Sequence, residues 1–163
     1  MSVKSKRVVI EHRKAAVYCR VAIEDETVIE NQKQTLTAYA NENGIDVGDI
    51  KCYIDNGASG SSFNRPAMSR LMNDIEAGAV GTIVVKDFSR LSRNSIETGR
   101  FIENTLPKYD VRLIAISDNY DSANRKTNLS CAEAAFKTLL RDYFRRDHAA
   151  RIRAGRLAKA GVS

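Results

Sequence analysis

Short apolar runs alternate with amphipathic stretches from residue 15 to residue 116, and this alternation does most to limit what the chain can fold into. The run Ala15-Ala16-Val17-Tyr18-Cys19-Arg20-Val21 is too short for a buried helix and reads as a strand. Residues 27–43 place Ile29, Leu36, Tyr39 and Ala40 at helical spacing, and Asn43-Gly44 supplies a stop. Residues 50–54 alternate and read as a second strand, followed by a Gly- and Ser-rich loop from Asn56 to Phe63. Asn64 is the expected cap of the next helix, with Pro66 in its first turn and Met68, Leu71, Met72 and Ile75 facing inward as far as Gly78. Residues 81–85 are apolar on both faces, as a central parallel strand must be. A polar loop over 86–94, a helix over 95–106 and a strand over 111–116 complete the series. Strands separated by helices of this length predict an α/β fold with a mostly parallel sheet flanked by helices.

Ligands of such sheets gather at the carboxyl ends of the strands, which directs attention to the loops beginning near Ala22, Asp55 and Lys86. None of these loops carries GxGxxG or GxxxxGK[ST], so nucleotide binding of the common kinds is not expected. The three cysteines, Cys19, Cys52 and Cys131, form no CxxC pair. They argue against a zinc site or a disulfide framework and for a reducing, cytoplasmic setting. No apolar run approaches the roughly 20 residues that span a bilayer.

Charge divides the chain further. The net charge is +6, but residues 1–14 carry +4, residues 15–130 carry −3 and residues 131–163 carry +5. Three segments follow: a basic N-terminal segment, 1–14, a globular domain, 15–130, and a C-terminal segment, 131–163. In the last, Ala135, Phe136, Leu139, Leu140, Tyr143, Phe144 and Ile152 follow helical spacing, and no Pro or Gly interrupts residues 131–154. A helix over this stretch would be about 35 Å long. Its first half offers an apolar stripe for its own body or for a partner subunit. Its second half is rich in arginine, with Arg141, Arg145, Arg146, Arg151, Arg153 and Arg156, and suits phosphate contacts.

Arginine also marks the strand-end loops. Arg20 closes the first strand, Arg65 ends the Gly/Ser loop, and Arg90 and Arg93 lie in Lys86-Asp87-Phe88-Ser89-Arg90-Leu91-Ser92-Arg93-Asn94. Each alone is an ordinary surface residue. Brought together, with Lys86 beside them, they make sense only around concentrated negative charge, and the planar guanidinium fork fits phosphate oxygens.

Five segments, Tyr18-Cys19-Arg20-Val21, Ile29-Glu30-Asn31-Gln32, Asp55-Asn56-Gly57-Ala58-Ser59-Gly60, Asn64-Arg65-Pro66 and Lys86 to Asn94, resemble in order and spacing the motifs of the serine recombinase catalytic domain, in the resolvase/invertase superfamily. The resemblance spans about residues 14–160 and is closest in style to the large recombinases of mobile elements. The resemblance implies cleavage of double-stranded DNA by a serine hydroxyl, a 5′-phosphoserine intermediate, strand exchange and resealing, without cofactor or metal. It implies that Arg20, Arg65, Arg90 and Arg93 are active-site arginines, that Gln32 lies near the phosphate, and that Lys86 is a further DNA contact. It also implies a homodimer formed through the long C-terminal helix and a tetramer in synapsis, with no membrane and no small-molecule substrate involved.

One position departs from the pattern. The family's nucleophilic serine follows Tyr-x-Arg-Val, and here that residue is Ala22. A methyl group has no lone pair to attack phosphorus, so the chain is expected to be unable to cleave DNA. Ala22 is either an engineered change or a natural loss, and the drift of Ile23-Glu24-Asp25-Glu26 from the family's run favours natural loss. The alternative reading is a non-catalytic recombinase-like protein that binds DNA or regulates active recombinases. The sequence ends at Lys159 to Ser163, where a linker to a DNA-binding region would begin, and is expected to be part of a longer recombinase.

Overall fold

A computed structural model describes residues 13–45, 50–124, 146–158 and 160–161. Five strands form one sheet in the order β2-β1-β3-β4-β5. Strands β1 (Lys14–Val21), β2 (Lys51–Asn56), β3 (Val80–Val85) and β4 (Arg112–Ala115) run parallel, and β5 (Tyr120–Asp121) pairs antiparallel with β4. The helices are α1 (Glu26–Glu42), α2 (Pro66–Glu76), α3 (Phe88–Leu91), α4 (Ser95–Arg100) and α5 (Leu106–Lys108), with a π-helical turn Phe101–Thr105 joining α4 to α5. A further helix, α6, covers residues 146–158. The expected mostly parallel α/β fold is therefore present.

The alternation within β1 separates two cores. Ala15, Val17, Cys19 and Val21 face α1 and pack with Ile29, Leu36, Ala40 and Ile45. Ala16 and Tyr18 face the other way, toward Met68, Leu71 and Ile75 of α2 and Phe101 and Leu106 further on. Both faces of the strand are covered, which explains why it reads as an unbroken apolar run. Register aligns the carboxyl ends: Val21 of β1 lies opposite Asn56, and Tyr18 lies opposite Val85.

Several local expectations are corrected. Asn64 does not cap α2; the cap position is Arg65, whose side chain makes no cap hydrogen bond. The carboxylate of Asp55, at the end of β2, instead accepts from the Ala67 and Met68 backbone N–H groups at 2.9 and 3.2 Å. The 86–94 loop contains the single turn α3, because Phe88 and Leu91 are buried and pull it into a helical turn. The helix expected over 95–106 runs to Lys108 through the π-helical turn, and β5 is additional. Helix α6 continues through Gly155 to residue 158, past the expected end at 154. The expected apolar half of that helix, with Arg141 and Arg145, lies outside the described residues, as do residues 1–12 and Cys131. Among the described residues no helix is long and apolar enough to cross a membrane.

Candidate active site

The loops after β1, β2 and β3 meet at the carboxyl edge of the sheet, and arginine side chains bind them together. Arg20 is 1% exposed. Its Nη1 donates to the Ala58 carbonyl at 3.0 Å, its Nη2 to Ser89 at 2.8 Å and its Nε to Arg90 at 3.2 Å. One guanidinium thus joins the Gly/Ser loop to the loop that carries Arg90 and Arg93. The Arg20 backbone carbonyl in turn accepts from Arg90 Nη1 at 2.9 Å and from Gln32 Nε2 at 3.4 Å. Burial lowers the Arg20 pKa, and the positive charges of Arg65, Arg93 and Arg90 lower it further.

Arg65 is also buried, at 4% exposure. Its Nη1 donates to the Ser59 carbonyl at 3.4 Å and its Nη2 to the Leu91 carbonyl, while its Nε stands 4.0 Å from Asp55 Oδ2. The guanidinium lies over the rings of Tyr18 and Phe63, 5.6 and 5.9 Å from their centroids. Asp55 organises this corner, since Tyr18 Oη also donates to its Oδ2 at 2.8 Å. Burial is the main reason the Tyr18 pKa is driven up, so its hydroxyl remains a donor to Asp55.

The remaining expected residues differ in exposure. Arg90 is partly buried, with Nε 3.6 Å from Asp87 Oδ2. The Arg93 side chain is exposed, while its backbone N–H is fixed to the Gly60 carbonyl at 2.7 Å. Lys86 is exposed beside a cleft of about 220 Å³, lined also by Gln32, Thr35, Leu36, Ile116 and Ser117. Gln32 is 6% exposed. Among the described residues, three buried polar atoms lack a hydrogen-bond partner: Gln32 Oε1, Arg65 Nε and Arg90 Nε, all belonging to these side chains. Each of the two Nε donors instead faces a carboxylate beyond hydrogen-bond range, Arg65 toward Asp55 and Arg90 toward Asp87. Arg20, Gln32, Arg65 and Arg90 are therefore brought together, and Arg93 joins them through its backbone. Arg146, Arg151, Arg153 and Arg156 lie exposed on α6, where Arg151 pairs with Asp147 at 3.1 Å.

Ala22 is exposed at the carboxyl end of β1, and the loop that holds it is pinned from β2. The Gly57 and Ala58 N–H groups donate to the Val21 carbonyl at 3.1 and 3.0 Å. Asn56 Oδ1 accepts from the Asp25 N–H at 2.9 Å, and Asn56 Nδ2 donates to Glu26 at 3.0 Å. Asp25 caps α1 by accepting from the Val28 N–H at 3.0 Å. Sequence reasoning assigned no role to Asn56, Gly60 or Glu97. Gly60 is required by contact: a Cβ there would lie 2.7 Å from Arg20 Nη2. Among the described residues no group of three or more His, Cys, Asp or Glu side chains is placed to hold a metal ion.

The mostly parallel sheet thus carries clustered arginines in the loops at its carboxyl edge. The family described as "Resolvase, N terminal domain" matches residues 15–162, and the chain belongs to that family. Among solved structures, it is similar to the N-terminal catalytic domain of TP901-1 integrase, with 30% identity and a TM-score of 0.67, covering 84% of this chain and 99% of that one. A resolvase family site-specific recombinase from Streptococcus pneumoniae matches at 26% identity and a TM-score of 0.61, over 91% of this chain and 98% of that one. The C-terminal catalytic domain of ISC1926 TnpA, an IS607-like serine recombinase, matches at 26% identity and a TM-score of 0.56, over 63% and 69% of the two chains. A curated relative from Bacillus subtilis (strain 168), provisionally named a DNA recombinase, is 29% identical over 109 residues, 64% of this chain. The chain spans about a fifth of that relative's length, 21%.

Proposed function

We propose that this chain is the catalytic domain of a serine-type site-specific DNA recombinase whose cleavage step is disabled at Ala22. The observation that carries this reading is the exposed Ala22 at the end of β1, on the loop pinned to the arginine-bound loops. In a serine-bearing relative the hydroxyl oxygen attacks phosphorus, the bond from phosphorus to the 3′ oxygen breaks, and that oxygen leaves as a 3′-hydroxyl. The phosphoserine link stores the phosphodiester, so the reverse attack reseals the strand without added energy. Guanidinium groups stabilise the charge that builds on the non-bridging oxygens. Here Arg65, Arg90 and Arg93 would supply that charge, with Gln32 beside them and Arg20 at the centre of the cluster. The attacking atom is missing.

The partner is double-stranded DNA, and a cytoplasmic location accords with it. Lys86 and, on α6, Arg146, Arg151, Arg153 and Arg156 would meet phosphates, with Arg145 just before them in the sequence. The long C-terminal helix would form the homodimer, and synapsis would bring four subunits together. The second reading, a non-cleaving protein that binds DNA or regulates active recombinases, draws on the loop after Ala22. Glu24 and Asp25 lie there and Glu26 opens α1, all three exposed, and their negative charge would oppose a phosphate at the nucleophile position.

A nicked suicide substrate carrying a cognate recombination site separates these readings. The unaltered protein is expected to form no covalent adduct with DNA. Ala22→Ser is expected to form one at residue 22 if the domain is a recombinase silenced at a single atom. An adduct on any serine of the unaltered chain refutes the loss of cleavage. No adduct from Ala22→Ser favours the regulatory reading.

A further inference from the structure

The sequence Asn94-Ser95-Ile96-Glu97 has the form of a capping box, in which the glutamate reaches back to the N–H of the capping residue. Only half of that box is made. Asn94 Oδ1 accepts from the Ile96 and Glu97 N–H groups at 3.1 and 3.2 Å, as a cap should. The Asn94 N–H, however, donates to Ser92 Oγ at 3.0 Å, so Glu97 is released from its helix-local task. Its carboxylate turns outward from α4 to two loops. Oε1 accepts from the Phe63 N–H at 3.1 Å, and Oε2 accepts from Ser92 Oγ at 3.1 Å.

Both contacts lie beside arginines of the candidate site. Phe63 lies two residues before Arg65, and its ring lies under the Arg65 guanidinium. Ser92 precedes Arg93, and the same two residues meet the Gly/Ser loop again: Ser92 Oγ lies 3.2 Å from the Gly60 carbonyl, and the Arg93 N–H donates to that carbonyl at 2.7 Å. The geometry points to Glu97 as a positioning residue that holds the Gly/Ser loop against the Arg93 loop and so fixes where Arg65 and Arg93 present their charge. It touches no phosphate itself. This inference rests on the reading that DNA phosphates engage the arginine cluster.

The inference has a sign that simple charge does not. Removing an acid close to a DNA-binding surface raises local positive charge and strengthens binding. Loss of a positioning acid weakens binding despite the added positive charge. The experiment measures binding of a short fluorescent duplex by anisotropy across a salt series, for the unaltered chain, Glu97→Ala, Glu97→Gln, Glu103→Gln and Arg93→Ala. Glu103 is exposed and makes no hydrogen bond or ion pair among the described residues, so Glu103→Gln removes one negative charge without breaking such a contact. Glu97→Ala is expected to bind roughly tenfold more weakly, and Glu97→Gln, which keeps an acceptor for Phe63, about threefold. Amide hydrogen exchange without DNA is expected to quicken at Phe63 and Arg93 in Glu97→Ala. Binding by Glu97→Ala at least as tight as by Glu103→Gln overturns the inference, as does unchanged exchange at both amides. If Arg93→Ala binds as tightly as the unaltered chain, the phosphate-site reading fails instead, and the exchange data still decide whether Glu97 holds the loops.

Discussion

Gly60→Ala tests whether the arginine cluster is clamped as tightly as its hydrogen bonds indicate. The added Cβ would lie 2.7 Å from Arg20 Nη2, 2.8 Å from Cζ and 3.1 Å from Nη1. These are well inside the separation at which carbon atoms attract. A flexible side-chain end could step aside, but this guanidinium is enclosed and tied to the carbonyls of Ala58, Ser89 and Arg90. Either it gives up one of those bonds, at about 1.5–3 kcal/mol for a charged donor, or the Gly/Ser loop moves, at about 1–3 kcal/mol for overpacking. Both routes centre on a loss of about 2 kcal/mol. For a domain of this size each kcal/mol lowers Tm by roughly 2–4 °C, so a fall of about 4–8 °C is expected by circular dichroism. The urea midpoint should fall with an unchanged m-value. Gly44→Ala is the comparison, because Gly44 has a φ of +64° and nothing within 4 Å. Its cost is conformational alone, about 1 kcal/mol. If Gly60→Ala melts within about 1 °C of the unaltered protein, or above Gly44→Ala, the clamp is loose and the account of Arg20 is wrong.

Other expectations concern the buried groups beside the clamp. Asp55→Asn leaves Arg65 buried without its carboxylate and replaces an acceptor of Tyr18, Ala67 and Met68, so it should destabilise the fold by about 3–5 kcal/mol in urea titrations. Adding Arg65→Met to that variant should recover part of the loss, and failure to recover any would separate the two residues energetically. Burial pushes the Cys19 thiol up to about 12, so the unfolded chain loses this proton first as pH rises. Above roughly pH 8.5 the native state holds more protons than the unfolded state, and stability falls with pH until about 12. Cys19→Ala should show a flatter alkaline limb, and an unchanged limb would refute the assignment.

The sheet was legible because period-two and helical patterns are set by local sequence and burial. Each parallel strand fell within two residues of its expected ends, and α1 shifted by a single residue. What could not be read is what depends on distant partners. Asn64 looked like the helix cap, yet the cap of α2 comes from Asp55, which lies on another strand. The 86–94 loop turned helical because Phe88 and Leu91 enter the core, a tertiary effect that its polar composition concealed. The arginines were visible as residue types in strand-end loops, and their gathering at one edge follows from strand order. Their bonding was hidden, since nothing in the sequence shows that Arg20 reaches three carbonyls. Glu97 was disguised by a local motif that its longer-range contacts override.

Strand order has a consequence for how the domain forms. Strand β1 precedes both of its neighbours in the chain, yet it lies in the interior of the sheet between β2 and β3. At a synthesis rate of about 5–20 residues per second, it waits seconds for its second neighbour. Until residue 85 has emerged, one hydrogen-bonding edge of an apolar strand remains open, and that edge is a template for any other extended chain. The site inherits the same schedule, because Arg20 finds its Ser89 and Arg90 acceptors only after β3 has docked. Assembly of the arginine cluster is therefore a late folding event, and slowed completion of β3 should expose nascent chains to mispairing before the cluster exists.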